Sequence, residues 1–183
     1  MFNIFKKKKK EEPLYDVTNL SVKDLDVNFV FDYDMKSWIV REVYEYDWGN
    51  NSFTREYKVD SGDEVAFLEV EDDDELYLVL SNSISLRKIE EDVVEKISKK
   101  GKSYKKIHYA GETYFLEEDS AGYFKNAAKK EDDWEEFITW EYLNEEETRV
   151  VSLTQWDEQN VEASAGIVVK PYQISNILPG ADK

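Results

Sequence analysis

The residues of this chain that could do chemistry are two copies of one dyad, Glu56-Tyr57 and Glu141-Tyr142. Adjacent strand residues point to opposite faces. With the two tyrosine rings in a core, Glu56 and Glu141 are expected to face outward and frame an acidic, pseudo-symmetric groove for a cation. A plainer role for the same dyad is a core tyrosine beside a glutamate paired across the strands with lysine or arginine. Trp48, Trp134, Trp140 and Trp156 stand at strand ends beside carboxylates. An indole next to acid suits a cation or a basic peptide, or else serves as a partly buried core member. With Asp72 and Asp157 these residues make up the candidate partner or ligand face.

Other chemistry finds little support. The acidic runs Asp72 to Glu75, Glu117 to Asp119, Glu131 to Asp133 and Glu145 to Glu147 lack the alternating ligands, mid-loop glycine and terminal glutamate of a calcium loop. His108 is the only histidine, there is no cysteine, and neither a nucleophile elbow nor a glycine-rich phosphate loop occurs. No catalytic residue, metal ligand or cofactor is assigned. An enzyme working through paired carboxylates is the least favoured class, since no nucleophile, metal set or phosphate loop supports it, although such pairs stay open because their separation is a three-dimensional matter.

The elements that must position the dyads repeat. Thr54 to Asp72 aligns without a gap on Thr139 to Asp157, 85 residues later, with six identities: Thr54/Thr139, Glu56/Glu141, Tyr57/Tyr142, Val65/Val150, Leu68/Leu153 and Asp72/Asp157. Two copies of one supersecondary unit imply a pseudo-symmetric body. Trp38 to Trp48 carries large residues at even positions, which reads as a strand with unequal faces. Gly49-Asn50-Asn51 reverses it into Phe53 to Val59, and strands at Val65 to Val70 and Leu76 to Leu80 complete a meander.

Ser21 to Leu25 reads as a capped helical turn. Leu86, Ile89, Val93, Val94 and Ile97 predict a helix from about Leu86 to Lys99, ended by Gly101. The second half is expected to contain strands at Ile107 to Tyr109, Thr113 to Leu116, Gly122 to Ala127, Trp134 to Leu143, Arg149 to Gln155, Val161 to Ala165, Ile167 to Val169 and Tyr172 to Leu178. The fold class is mainly β: two pseudo-repeated antiparallel units, barrel- or sandwich-like, joined by one α-helix. The expected organisation is a basic tail over 1–13, a first β repeat over 14–85, a linking helix over 86–102 and a second repeat over 103–183, packed as one body.

Among 183 residues, 24 lysines and arginines oppose 41 aspartates and glutamates, a formal charge of −17. Residues 1–12 hold five lysines and two glutamates, +3, so the remainder carries −20. A body that acidic repels nucleic-acid phosphates, which excludes ordinary DNA or RNA binding. It suits a basic partner or the gathering of cations and polyamines. The tail places Phe2, Ile4 and Phe5 beside Lys6, Lys7, Lys8, Lys9 and Lys10. That composition fits salt-sensitive contact with an anionic membrane surface, and equally a solubilising end. The lack of cysteine, of a long apolar run and of a signal-like N-terminus leads to the expectation of a cytoplasmic protein, peripheral at the inner face of the cell membrane.

The order of parts resembles a bacterial family, domain of unknown function 4178, from about Leu20 to Leu178. The resemblance rests on LSVKDLDVNFVFDYDMKSWIVREVYEYDWG, REYKVDSGDEVAFLEVEDDDELYLVL and WEEFITWEYLNEEETRVVSLTQWDEQNVEASAGIVV. Asn28 stands where such openings usually place glycine. The resemblance implies a non-catalytic β-rich module encoded near polyamine-synthesis, ion-channel and membrane-stress genes, and it transfers no catalytic residues. The function expected from all of this is a binding or adaptor module recognising a basic protein partner. The alternative is a sensor or sequestering protein for polyamines or metal cations.

Overall fold

The fold follows from how a long two-faced strand in each half finds partners on both edges. In a computed structural model, residues 19–180 are described apart from 90, 130–132 and 159. The tail residues Phe2, Ile4, Phe5 and Lys6 to Lys10 lie outside the described residues. The strands are β1 (Val30–Tyr33), β2 (Lys36–Gly49), β3 (Ser52–Asp60), β4 (Val65–Asp72), β5 (Leu76–Ile84), β6 (Lys106–Tyr109), β7 (Glu112–Asn126), β8 (Glu135–Asn144), β9 (Arg149–Gln155), β10 (Val161–Val169) and β11 (Ser175–Leu178). One α-helix, α1 (Val93–Lys100), lies between the halves.

All pairings between these strands are antiparallel, in the order β11-β1-β2-β3-β4-β5-β10-β9-β8-β7-β6, and β2 also pairs with β7. That extra ladder closes eight strands, β2 to β5 and β7 to β10, into a ring, with β1, β11 and β6 outside it. Tight reversals use residue pairs with positive φ, Asp34-Met35, Asn50-Asn51 and Ala110-Gly111, the conformation two-residue hairpin loops require. Asn28 also has φ +69, so the residue that replaces the expected glycine is one of the few types that tolerate this region.

Two apolar cores lie on the outer side of the ring. The first packs Tyr57, Val59, Leu68, Val70 and Leu78 under Phe31, Trp38 and the turn residues Val22 and Leu25. The second packs Trp140, Tyr142, Val151 and Leu153 under Val93 and Ile97 of α1, Ile107 of β6 and Ile89. Each ring strand thus gives one set of alternate side chains to an outer core and the other set to the inside.

The structure bears out the mainly β fold with its repeated units, and it corrects details. The ladder pairs Tyr57 with Leu68 but Tyr142 with Val151, because the second reversal is shorter: Lys58 pairs with Phe67, whereas its counterpart Leu143 pairs with Val150. The 85-residue offset therefore holds on β3 and β8, while Leu68 and Leu153 are not counterparts in the sheet. The expected helix from Leu86 is split. Leu86–Lys88 is a 3-10 turn capped by Ser85, Ile89 leaves it to bridge Tyr109 of β6, and Asp92 then caps α1, which ends at Gly101 with φ +59. Thr113 to Leu116 and Gly122 to Ala127 belong to one long strand, continuous through a bulge at Glu117. The two expected strands around Gly166 are likewise one, β10, and Tyr172 belongs to a 3-10 turn before β11.

The β2–β7 seam depends on a close approach at Gly122. A Cβ there would meet the Asp47 carbonyl oxygen at 2.8 Å and the Phe137 ring at 3.2 Å. Gly122→Ala is expected to destabilise the protein by about 1–3 kcal/mol, as overpacking does, read as a lower midpoint in urea with an m-value near that of the wild type.

Candidate functional site: an acidic lumen

The inward face of the ring can be traced from the repeated threonine and glutamate. Glu56 is flanked in the ladder by Tyr44 of β2 and Glu69 of β4, and Thr54 is flanked by Tyr46. In the other half Glu141 is flanked by Glu118 of β7 and Ser152 of β9, and Thr139 by Ser120 and Thr154. Aromatic side chains from next-but-one strands meet on this inner face. Tyr46 packs edge-on against Phe137 (5.5 Å between centroids), Trp48 against Phe137 (5.2 Å) and Phe124 against Trp156 (5.0 Å). These rings fill much of the lumen and leave two cavities that hold the carboxylates.

One cavity, of about 470 Å³, is lined by Glu56 together with Tyr44, Tyr46, Phe67, Thr154 and Trp156, among others. The Tyr46 hydroxyl donates to Glu56 at 2.9 Å. The other cavity, of about 150 Å³, is bounded by Glu69, Glu71, Glu118, Glu141, Tyr77 and Trp48, with serines and threonines between them. No lysine, arginine or histidine lines it. Lys58, on the same face of β3 as Glu56, is already paired with Glu42 at 2.7 Å.

Enclosing carboxylates without a cation raises their affinity for protons. Burial pushes Glu56 up to about 7, against the opposing pull of the Tyr46 hydrogen bond. Burial and the charges of Glu118, Glu71 and Glu117 push Glu141 up to about 7. Glu69 is held well above the usual carboxylate range by burial and by Glu141, Glu56, Glu71 and Glu118. Glu71 is raised by burial, Glu118 and Asp73. The Tyr77 phenol is raised by burial and by Glu141, Glu69 and Glu71, and its hydroxyl, fully enclosed, has no hydrogen-bond partner among the described residues. A water-sized sphere reaches Glu56, Glu69 and Glu141 only in part, and protein surrounds the three carboxyls, so bulk solvent screens them poorly.

Of the residues expected on one ligand face, the structure gathers some and disperses others. Glu56 and Glu141 do not face outward. Tyr57 and Tyr142 fill the outer cores, and closure of the ring turns the opposite face of the same strands into an interior. Trp48 and Trp156 border the lumen and, with Asp47, Phe137 and Asp157, line a cleft of about 490 Å³ at its rim. The indole N–H groups of Trp48 and Trp156 donate to Thr54 (3.0 Å) and Glu162 (3.1 Å). Trp140 is 1% exposed in the second core and meets no ligand. Trp134 lies in a cleft with Asp72, but Lys125 covers its ring at 4.6 Å and Lys23 pairs with Asp72 at 2.7 Å. Among the described residues no group of three or more carboxylate or histidine side chains is arranged to hold a metal ion.

The acidic cluster also contains Glu69, Glu71 and Tyr77, which the sequence reading did not single out, and Glu118, which it named only within the run Glu117 to Asp119 set aside as a calcium loop. Glu69 had a visible signal: it interrupts the apolar run Val65 to Val70 in phase with Ala-Leu-Val burial on the other face. Glu118 stands in that acidic run, but the expected break in its strand hid its place beside Glu141.

A closed, pseudo-twofold β ring with apolar cores outside and an acidic, aromatic lumen is the class of protein that fold and site define. The family model described as domain of unknown function (DUF4178) matches residues 26–171, and the chain belongs to that family. A protein of Aquifex aeolicus (strain VF5), described as an uncharacterized protein, is 28% identical over 173 residues, covering 93% of each chain. No solved structure matches.

The lumen carboxyls bind protons more tightly folded than unfolded, so their contribution to stability is full below about pH 4.5 and is lost as pH rises through about 7. Thermal midpoints are expected to fall from pH 5 to pH 8. Glu69→Gln is expected to raise the midpoint at pH 8 and flatten that fall. A midpoint insensitive to Glu69→Gln at pH 8 would contradict the electrostatic account.

Proposed function

We propose that this protein is a non-enzymatic binding protein that takes up a small organic cation, with polyamines as the leading class, in the lumen between its two repeats. The observation that carries this reading is a cavity walled by Glu69, Glu71, Glu118 and Glu141 with no cationic side chain in its lining. Isolated buried carboxylates are costly unless paired or protonated, and a cationic ligand supplies the missing partner. The aromatic walls favour a ligand with an apolar stem. A bare metal ion fits less well, because the carboxylates are spread around the cavity instead of converging as a ligand set.

The second reading, an adaptor that holds a basic protein partner at a membrane surface, draws on the rim cleft of Trp48, Trp156, Asp47 and Asp157 and on the basic, partly apolar tail. No helix among the described residues is long and apolar enough to cross a membrane. Peripheral attachment through residues 1–12, at the cytoplasmic face, belongs to that proposal.

Spermidine is expected to raise the thermal midpoint beyond what salt of matched ionic strength does, since a ligand at 100 times its Kd stabilises by about 2.7 kcal/mol. No excess shift would remove the lumen reading. Co-sedimentation with anionic but not neutral vesicles, abolished by high salt or by deletion of residues 1–12, is the outcome expected of the adaptor.

A further inference from the structure

The two ends of the lumen are related by the repeat, so each serves as a control for the other. Ladder register fixes the equivalences: Glu56 with Glu141, Thr54 with Thr139, Tyr44 with Glu118, Tyr46 with Ser120, and Glu69 with Ser152. In the first copy the tyrosine two residues beyond the flanking position donates its hydroxyl to the repeated glutamate, Tyr46 to Glu56 at 2.9 Å. In the second copy that tyrosine is Ser120, whose shorter hydroxyl donates to Glu118 instead. Glu141 is left without a hydrogen bond among the described residues, and so is Glu69, which reaches the same cavity from the opposite wall. Tyr77 adds an enclosed hydroxyl with no partner.

Loss of the tyrosine therefore leaves the repeated glutamate without its donor. Two unpartnered carboxyls, Glu69 and Glu141, line a cavity of about 150 Å³, with the Tyr77 hydroxyl enclosed beside it. A primary ammonium group carries three donors and no acceptor. It matches the two carboxyls in sign and can donate to both, whereas a hydroxyl, with one donor, would leave one of them unpaired. The cavity volume corresponds to roughly five waters at about 30 Å³ each, enough for an ammonium and a short unbranched stem lying against Trp48. Glu71 and Glu118, more exposed than Glu69 and Glu141, stand at the opening and draw a cation inward.

We propose that the Glu141 end of the lumen is a dedicated site for the primary ammonium of an unbranched alkylamine, whose N–H groups take on Glu141 the place that the Tyr46 hydroxyl takes on Glu56. The Glu56 end, where the tyrosine already bonds the carboxyl, is not the high-affinity site. This inference rests on the reading of the lumen as a cation-binding space and names which end binds and by what chemistry.

The test is calorimetric titration of the full chain with n-butylammonium and, separately, tetramethylammonium, both at constant ionic strength. Wild-type protein is expected to bind n-butylammonium at one site and to bind tetramethylammonium at least tenfold more weakly, because the latter has no N–H donor. Glu141→Gln and Ser120→Tyr are each expected to weaken binding at least tenfold, the second by rebuilding the tyrosine–glutamate hydrogen bond found in the other copy. Glu56→Gln is expected to stay within about twofold of wild type. Thermal midpoints check that the variants fold, and the near-isosteric Glu141→Gln carries the test if Ser120→Tyr does not.

Binding lost in Glu56→Gln and kept in Glu141→Gln would overturn the assignment while leaving the lumen as a cation site. Equal affinity for tetramethylammonium would overturn the hydrogen-bonded ammonium in favour of an aromatic cage. A spermidine shift in wild type with no n-butylammonium binding would also sink this inference alone. The absence of both would remove the broader reading with it.

Discussion

Closure of the sheet between β2 and β7 is the constraint on which the rest depends. An open antiparallel sheet has one face for the core and one for water. Joining its ends converts the second face into an enclosed space shared by eight strands, and every side chain on it must then be accommodated. The ladder Tyr44–Asn126 to Asp47–Tyr123 makes that closure, and Gly122 permits it by leaving room for the Asp47 carbonyl and the Phe137 ring. Glutamates that would be ordinary surface residues on an open sheet become enclosed charges through this one seam.

The division of labour between the two faces explains how such an interior is tolerated. Stability comes from the outer cores, where Tyr57, Leu68 and Trp38 on one side and Trp140, Tyr142 and Leu153 on the other are nearly inaccessible. Even there the copies differ. The Tyr142 hydroxyl bonds with Ser103 (2.6 Å) and the Tyr104 carbonyl (2.9 Å), while that of Tyr57 is buried without a partner among the described residues. The lumen is under no such packing demand and has diverged further between the repeats. A pseudo-twofold frame with unequal ends offers one half whose glutamate is bonded by its own tyrosine and one half whose glutamate is not, which a perfectly symmetric ring would not.

How much of this was legible in the sequence varied with the range of the interactions involved. The even positions of β2 do not share one face, because a bulge after Val40 leaves Trp38 and Val40 in an outer core and turns Tyr44, Tyr46 and Trp48 into the lumen. Strand faces in β3 and β4 followed from period-2 alternation, the turn after β2 from Gly49-Asn50-Asn51, and the helix end from Gly101. All are local effects of backbone preference. Glu91 bonds both the Nδ1 and the backbone N–H of His108, and nothing in the spacing named that partner. The helix start at Leu86 was misplaced because Ile89 is recruited by β6, a contact made between distant segments. The acidic stretch in β7 read as a break because charges in mid-strand usually mean solvent, and here they mean a lumen.

The sequence by itself determined the repeat, most of the strand content and, where no bulge intervenes, which residues share a strand face, since these depend on neighbours a few positions apart. It singled out Glu56 and Glu141 for the same reason. Only the tertiary structure decided which face was inside. An alternating pattern tells the two sides of a strand apart but cannot say whether the polar side meets water or another wall. That choice belongs to the closure of the ring, which put Trp140 in a core, brought Glu69, Glu118 and Tyr77 to Glu141, and gave those carboxylates no cation of their own.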